Sequence, residues 1–296
     1  MTVPQASPRL PFMRENSGDA RKSPSAPPQT VEVDGPAPTI VILHAGGFSG
    51  ECYQELAEAL PFRAVAFDLP GHGRNESPLP DTDVLNWQIF ADAAAKAIAA
   101  TPGPKVIFGH SLGGASAILA AADAEEEILG IALYEPVTVD PSNPRAIVEA
   151  NELAARTLLR KTHFASEKAA VANFAAKPPI SCFTKRSREA YVKSCFRRDQ
   201  QGVTLTLSAH AEASMYRGGP FNETLWRLSE LALPILFMGG ETSDSFGRGH
   251  AERLAARYPH SRLATFPGLG HFGPMEEPSL VAGAVAAFAG DLVRSN

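Results

Sequence analysis

The sequence predicts an α/β fold, a mostly parallel central sheet with helices on both faces and an inserted helical cap. Three observations carry this expectation. Short apolar, β-branched runs at residues 39–43, 64–67, 128–134, 234–238 and 262–266 alternate with helical stretches, the pattern of strands covered on both faces and joined by crossover helices. A further apolar run, residues 105–108, breaks at Gly109-His110-Ser111-Leu112-Gly113 and resumes as an Ala-rich helix. From residue 136 to 233 the strand signal stops and helical spacing replaces it.

Bulk properties set limits. A chain of 296 residues, 44% hydrophobic and 20% charged, has the length and balance of a globular enzyme with one large core and one elaboration. A net charge of −5 argues against nucleic acid as the working partner. No apolar run approaches the ~18 residues that span a bilayer, so no membrane role is expected. Cys52, Cys182 and Cys195 are too few and too scattered for a disulfide framework or a zinc site. The expectation is therefore a cytoplasmic enzyme with no metal and no cofactor, acting on a small molecule. Pairing of Cys182 with Cys195 is the one disulfide to consider, and the oligomeric state stays open.

Element by element, residues 1–30 are rich in Pro, Ser and charge without an apolar stretch, which predicts a disordered leader rather than a signal peptide. The core is assigned to residues 31–135 and 234–296, the cap to 136–233. Residues 31–34 form one candidate early strand. Helical spacing marks residues 51–60 and an Ala-rich stretch, 83–100, closed by Pro102-Gly103. In the cap, 146–159, 166–176, 188–196 and 207–216 predict helices, separated by Lys177-Pro178-Pro179 and Gly218-Gly219-Pro220, the strongest local breakers. Residues 279–288 supply a closing helix. An insertion at the strand ends, where open α/β sheets bind ligands, would cover the site.

Four motifs fall at strand ends. The first parallel strand runs into His44-Ala45-Gly46-Gly47-Phe48, and the second ends in Asp68-Leu69-Pro70-Gly71-His72-Gly73. The Gly-x-Ser-x-Gly turn follows, and the last strand leads into Pro267-Gly268-Leu269-Gly270-His271-Phe272. In this order and spacing they resemble the α/β-hydrolase superfamily, from residue 39 to the C-terminus apart from the insertion. The resemblance implies that Gly46 supplies an oxyanion-hole amide, that residues 68–73 are a structural loop, and that His271 is the general base. Two departures stand out: the hairpin that usually precedes the first parallel strand is not found, and Ala45 stands where the family more often has Gly. A serine rather than an aspartate at position 111 excludes the family's haloalkane dehalogenases and epoxide hydrolases, whose alkyl-enzyme chemistry needs a carboxylate.

The chemistry needs each part. A serine hydroxyl is a poor nucleophile until a base takes its proton, and the base needs a carboxylate to fix its tautomer. Ser111 is the candidate nucleophile and His271 the candidate base. A tetrahedral oxyanion needs preorganised donors, here the amides of Leu112, at a helix start, and Gly46. His44 and His72 belong to loops, His110 sits beside the nucleophile but points elsewhere, and His163, His210, His250 and His260 are expected at the surface. The acid is the ambiguous member. The family's usual acid position, counted from Pro234, falls on Ser243, with Asp244 one residue later and Glu241 two earlier. Some branches carry the acid at the end of the preceding core strand, where Glu135 stands. Glu135 is the favoured acid and Asp244 the alternative, with Glu241 third.

These residues predict a serine hydrolase cleaving a small to medium, largely apolar carboxylic ester or lactone through an acyl-serine intermediate. The alternatives are a carbon-carbon bond hydrolase on the same triad, a cofactor-free oxygenase or perhydrolase, and a non-catalytic ligand receptor. The cap's basic run, Lys185, Arg186, Arg188, Lys193, Arg197 and Arg198, is expected to be a solvated face rather than a steering patch for a carboxylate-bearing substrate.

Overall fold

The computed structural model describes residues 26–122, 124, 128–139, 143–246, 249–258 and 260–295. The expected leader lies outside the described residues up to residue 25, and its last two residues already belong to a strand. That strand, β1 (Gln29–Val33), is followed by β2 (Thr39–Leu43), a 3₁₀ turn (Gly50–Tyr53) running into α1 (Gln54–Glu58), β3 (Ala64–Phe67), α2 (Gln88–Ala100), β4 (Lys105–His110), α3 (Leu112–Ala122) and β5 (Ile128–Tyr134). The inserted segment holds α4 (Pro144–Leu158), β6 (His163–Phe164), α5 (Glu167–Ala175), α6 (Lys185–Cys195), β7 (Phe196–Asp199), β8 (Gly202–Leu205), α7 (Ala209–Gly218) and α8 (Thr224–Leu228). The core resumes with β9 (Ile235–Gly240), α9 (His250–Arg257), β10 (Arg262–Phe266), α10 (Gly273–Glu276) and α11 (Pro278–Ser295).

The central sheet has seven strands in the order β1-β3-β2-β4-β5-β9-β10. Only β1 runs antiparallel, pairing Val31 with Ala66 and Val33 with Ala64. The single early strand thus closes one edge, without a hairpin partner among the described residues. β2 and β4 are buried at every position, because alternate side chains of a parallel strand meet helices on opposite faces. Ile40, Ile42, Val106 and Phe108 pack with Val281, Val285 and Phe288 of α11. Val41, Leu43, Ile107 and Leu133 face Phe90 and Ile98 of α2 and Ile118 of α3. Asp68 ties its loop to the sheet end by accepting the Gly50 and Arg74 N–H groups at 2.7 Å each.

The inserted segment is not all helix, as the sequence suggested. β6, β8 and β7 form a small antiparallel sheet, with Arg198 paired to Val203 and Asp199 to Gly202. Gln200 and Gln201 make its two-residue turn, and Gly202 has φ +146°, with an added Cβ only 2.1 Å from Phe164 O. The hairpin forms because a glycine permits that close approach; its charged edge, Arg197-Arg198-Asp199, hid the strand.

All three cysteines are free: Cys182 is exposed, while Cys195 is buried 4.0 Å from Cys52 Sγ, in the core. The pair considered from sequence is therefore replaced by a contact between Cys195 and Cys52. Among the described residues no helix is long and apolar enough to cross a membrane.

Candidate active site

The motifs converge at the C-terminal ends of the parallel strands, as expected for an open α/β sheet. Ser111 occupies the one-residue bend between β4 and α3 with φ 53°, a left-handed conformation. Such strain persists only where the surroundings over-determine it. Here the Ser111 N–H donates to Tyr134 O at 3.1 Å, and its carbonyl accepts from Ala115 N and Val137 N at 3.0 and 3.2 Å. The flanking glycines are obligatory: a Cβ would fall 2.6 Å from Gly114 Cα at Gly109 and 2.1 Å from Leu43 O at Gly113.

At the end of β5, Glu135 is 2% exposed, with φ 41°. Its Oε2 accepts from His271 Nδ1 at 2.7 Å and from Ser243 Oγ at 2.7 Å, and its Oε1 accepts the Gly240 N–H at 2.9 Å. Burial pushes this carboxyl up, but the hydrogen bond and charge of His271, with Gly240 and Ser243, more than offset it, so its pKa lies below the usual carboxylate value. The residue at the family's usual acid position, Ser243, remains in the network as a hydroxyl donor to Glu135. Asp244 instead lines the cavity mouth, exposed, and Glu241 accepts the Gly268 N–H at the surface. Neither is hydrogen-bonded to His271 among the described residues.

A carboxylate accepts only, so Nδ1 of His271 carries the proton and Nε2 is left with its lone pair. Ser111 and His271 line one cavity. No hydrogen bond joins Ser111 Oγ to the ring among the described residues, and such bonds commonly tighten only in the substrate complex.

The donors expected for an oxyanion also border this cavity, at Gly46 and Leu112. Among the described residues neither N–H has a protein acceptor, whereas the next amide back, Ala45 N–H, is committed to Tyr53 Oη at 3.0 Å. That contact begins a buried chain with no trace in any sequence motif. Tyr53 Oη lies 2.6 Å from His110 Nδ1, and His110 Nε2 lies 2.8 Å from His271 O. A carbonyl cannot donate, so Nε2 of His110 bears the proton, Nδ1 accepts from the tyrosine, and the tyrosine oxygen accepts from Ala45. Burial holds His110 well below the usual imidazole pKa, which keeps it neutral. His110 thus turns its ring nitrogens to Tyr53 and His271 O rather than to Ser111, and links the loop of residues 44–48 to the His271 loop. Tyr134 Oη adds a second tether to that loop, donating to Gly270 O at 2.8 Å.

His250, expected at the surface, is buried instead, bonded to Pro136 O at 3.0 Å and bordering the cavity. The cavity, about 1020 Å³, runs from Ser111 beneath α4 and α7. Leu153, Phe174, Ile180, Tyr191 and Phe272 give it apolar wall. Two residues of α7 press on the loop of residues 44–48: an added Cβ on Gly46 would meet Met215 Cε at 2.7 Å, and one on Gly47 would meet Glu212 Oε1 at 2.9 Å. Glu212, 3% exposed, is ion-paired with Arg160 and accepts from Tyr216 Oη at 2.9 Å. Burial pushes its carboxyl up against the lowering pull of Arg160.

Known proteins share the fold and the family pattern. A model described as the alpha/beta hydrolase family matches residues 40–284. The chain belongs to that family. Among its relatives, this hydrolase is 24% identical to the pimeloyl-[acyl-carrier protein] methyl ester esterase of Nitrosomonas europaea, over 81% of this chain and 91% of that protein. It is 35% identical to the lipase LipV of Mycobacterium tuberculosis over 49% of this chain, spanning about half the length of that relative, 55%. Its fold is that of E-2-(acetamidomethylene)succinate hydrolase, with TM-score 0.71 at 21% identity over 87% of this chain and 92% of that one. The peroxisomal alpha-beta-hydrolase Lpx1 of Saccharomyces cerevisiae has the same fold, with TM-score 0.73 at 18% identity over 87% and 77% of the two chains. Membership of this family and the esterase and lipase relatives support hydrolysis, and esters as its general target.

Proposed function

We propose that the protein is a carboxylic ester hydrolase that works through an acyl-serine intermediate, with lactones as cyclic forms of the same substrate class. The observation that carries the reading is the 2.7 Å contact between His271 Nδ1 and buried Glu135, on the same cavity as a serine held in a left-handed elbow. His271 Nε2 takes the Ser111 proton as Oγ attacks the carbonyl carbon, then delivers it to the leaving alkoxide. Glu135 holds the ring's tautomer and stabilises the imidazolium that forms. The Gly46 and Leu112 N–H groups receive the oxyanion; one such donor is worth about 3 kcal/mol in the transition state. Water, activated by the same ring, hydrolyses the acyl-enzyme. The apolar wall supports a largely apolar acyl group beside the serine.

The test is release of p-nitrophenol from short acyl esters, with mass spectrometry of the protein after an organophosphonate. One adduct on Ser111, and loss of about three or more orders of magnitude in kcat for Ser111→Ala, is expected. An adduct on another serine, or full activity in that variant, overturns the assignment.

A further inference from the structure

The cations that border the cavity are not those the sequence brings forward. Of the basic run on and after α6, Lys185 pairs with Glu189, Arg186 with Glu58, Lys193 with Glu51 and Arg198 with Glu167. Arg188 turns inward to the carbonyls of Ser181 and Phe183. None of these residues lines the cavity, and their charges are already answered by neighbours.

The opposite holds on α4. Ala146, Ala150, Leu153 and Arg156 border the cavity, at the three- and four-residue spacing that places them along one face of the helix, and Arg160 borders it two residues past the helix end. That face is apolar at its start and cationic at its end. Lys161 continues it, and Lys177 joins from the loop after α5. Among the described residues neither the Arg156 nor the Lys177 side chain has a hydrogen bond or ion pair. Of the acidic lining residues, Glu212 pairs with Arg160 and accepts from Tyr216 Oη, Glu149 pairs with Arg145, and Asp244 lies at the mouth. A guanidinium has five donors, and Arg160 Nε is buried without a protein acceptor. The overall charge of the chain is −5, so this concentration of positive charge runs against the average of the surface.

Position gives the polarity a meaning. His271 must reach the leaving alkoxide, so the alcohol part lies on its side, near Phe246 and His250. The acyl part extends away from it, beneath α4. Arg160 stands behind Glu212, whose other oxygen abuts the Gly47 position of the oxyanion loop, so an anion it receives is separated from the scissile carbonyl by a short acyl chain.

We propose that the cavity selects esters whose acyl chain ends in a carboxylate, monoesters of dicarboxylic acids, and that Arg160 receives the carboxylate with Arg156 and Lys177 at the mouth. The inference rests on the ester-hydrolase reading and names its substrate class.

The test pairs two methyl esters of equal chain length, methyl hexanoate and monomethyl adipate. The full chain is expected to cleave monomethyl adipate with kcat/KM at least tenfold higher, a preference that shrinks as salt is raised. The adipate-to-hexanoate ratio is expected to fall at least fivefold in the Arg156→Gln, Lys177→Gln double variant, which alters exposed side chains, and in Arg160→Lys, which keeps a cation against Glu212. A ratio near or below one, or a ratio unchanged in both variants, overturns the proposal. Calorimetry on Ser111→Ala separates the two levels of inference. If neither ester is cleaved but this variant binds monomethyl adipate at least tenfold more tightly than methyl hexanoate, the hydrolase reading fails and the anion subsite stands. Equal binding of the two overturns the subsite whatever the activity.

Discussion

Replacing Glu135 by Gln changes one atom and tests the heart of the site. The native carboxylate receives three hydrogen bonds, from His271 Nδ1, Ser243 Oγ and Gly240 N. In Glu135→Gln the amide oxygen can keep the Gly240 bond, and Ser243 can rotate its hydroxyl to accept. His271 cannot adapt without cost. An amide N–H placed at Oε2 meets the Nδ1 proton, and the ring relieves the clash by moving that proton to Nε2, where the base is needed. From the equivalent loss of tautomer control elsewhere, kcat should fall by up to ~10⁴, about 5.5 kcal/mol on the barrier. KM should change little, because the carboxylate lies behind the ring. Loss of one charge-assisted bond puts the stability cost at about 1–3 kcal/mol, which urea unfolding would resolve. The assay is p-nitrophenyl ester hydrolysis, with Asp244→Asn as the matched control. Asp244→Asn should retain most of its activity, since Asp244 sits at the cavity mouth. If Glu135→Gln keeps more than a tenth of wild-type kcat while Asp244→Asn collapses, the acid belongs at Asp244 and the argument from geometry is wrong.

The same carboxyl has a signature in pH. Its folded pKa lies below the usual value, so between the two the unfolded chain binds the extra proton; the stability it contributes is full above the ordinary carboxylate range and is lost as pH falls through the lowered value. Urea unfolding from pH 6 to pH 3 should therefore show a shallower loss in Glu135→Gln than in wild type; equal slopes would contradict this. Tyr53→Phe removes the acceptor of Ala45 N–H and the partner of His110, so it should cost about 1–3 kcal/mol of stability and lower kcat more than it raises KM, as steady-state kinetics would show. Gly113→Ala should fail to yield folded protein, its Cβ being 2.1 Å from a main-chain oxygen, whereas Gly283→Ala, with open space in α11, should be neutral or stabilising by about 0.5–1 kcal/mol; circular dichroism melts compare the two. Gly46→Ala meets only the flexible tip of Met215, so it should fold, lose kcat, and recover part of it when Met215→Ala is added; a double variant no better than the single would remove Met215 from the explanation.

What the sequence made legible is local. The elbow, the strand ends and the order of motifs were written in runs of a few residues, because a buried parallel strand must be apolar throughout and a left-handed bend must be flanked by glycine. Glu135 was reachable as a candidate because the resemblance allows an acid at the end of the strand after the elbow, and the apolar run of β5 marks where that strand ends. The rest depended on contacts far apart in the chain. Arg160 and Glu212 are separated by dozens of residues and form no periodic pattern, so their pairing had no local trace. Tyr53 and His110 each looked like ordinary members of a helix start and a turn. The β7-β8 hairpin was concealed because its outer strand, Arg197-Arg198-Asp199, is exposed and charged, and its signal reduces to one glycine. His250 opens α9 in a polar stretch, and only the fold turns it inward against Pro136 O.

The pressure of α7 on residues 44–48 has a consequence for how such proteins are built. Met215 and Glu212 reach Gly46 and Gly47 from the inserted segment, so the candidate site has two parents: strand ends that carry Ser111, Glu135 and His271, and an insertion that forms one wall of their mould. An insertion of this kind is not an interchangeable part. Grafting it from a cousin, or removing it to widen the entrance, would leave the loop's amides free to turn, and a chimera designed for a new substrate would lose turnover before selectivity could be judged. Transplants should therefore move α7 together with residues 44–48, as one inheritable unit.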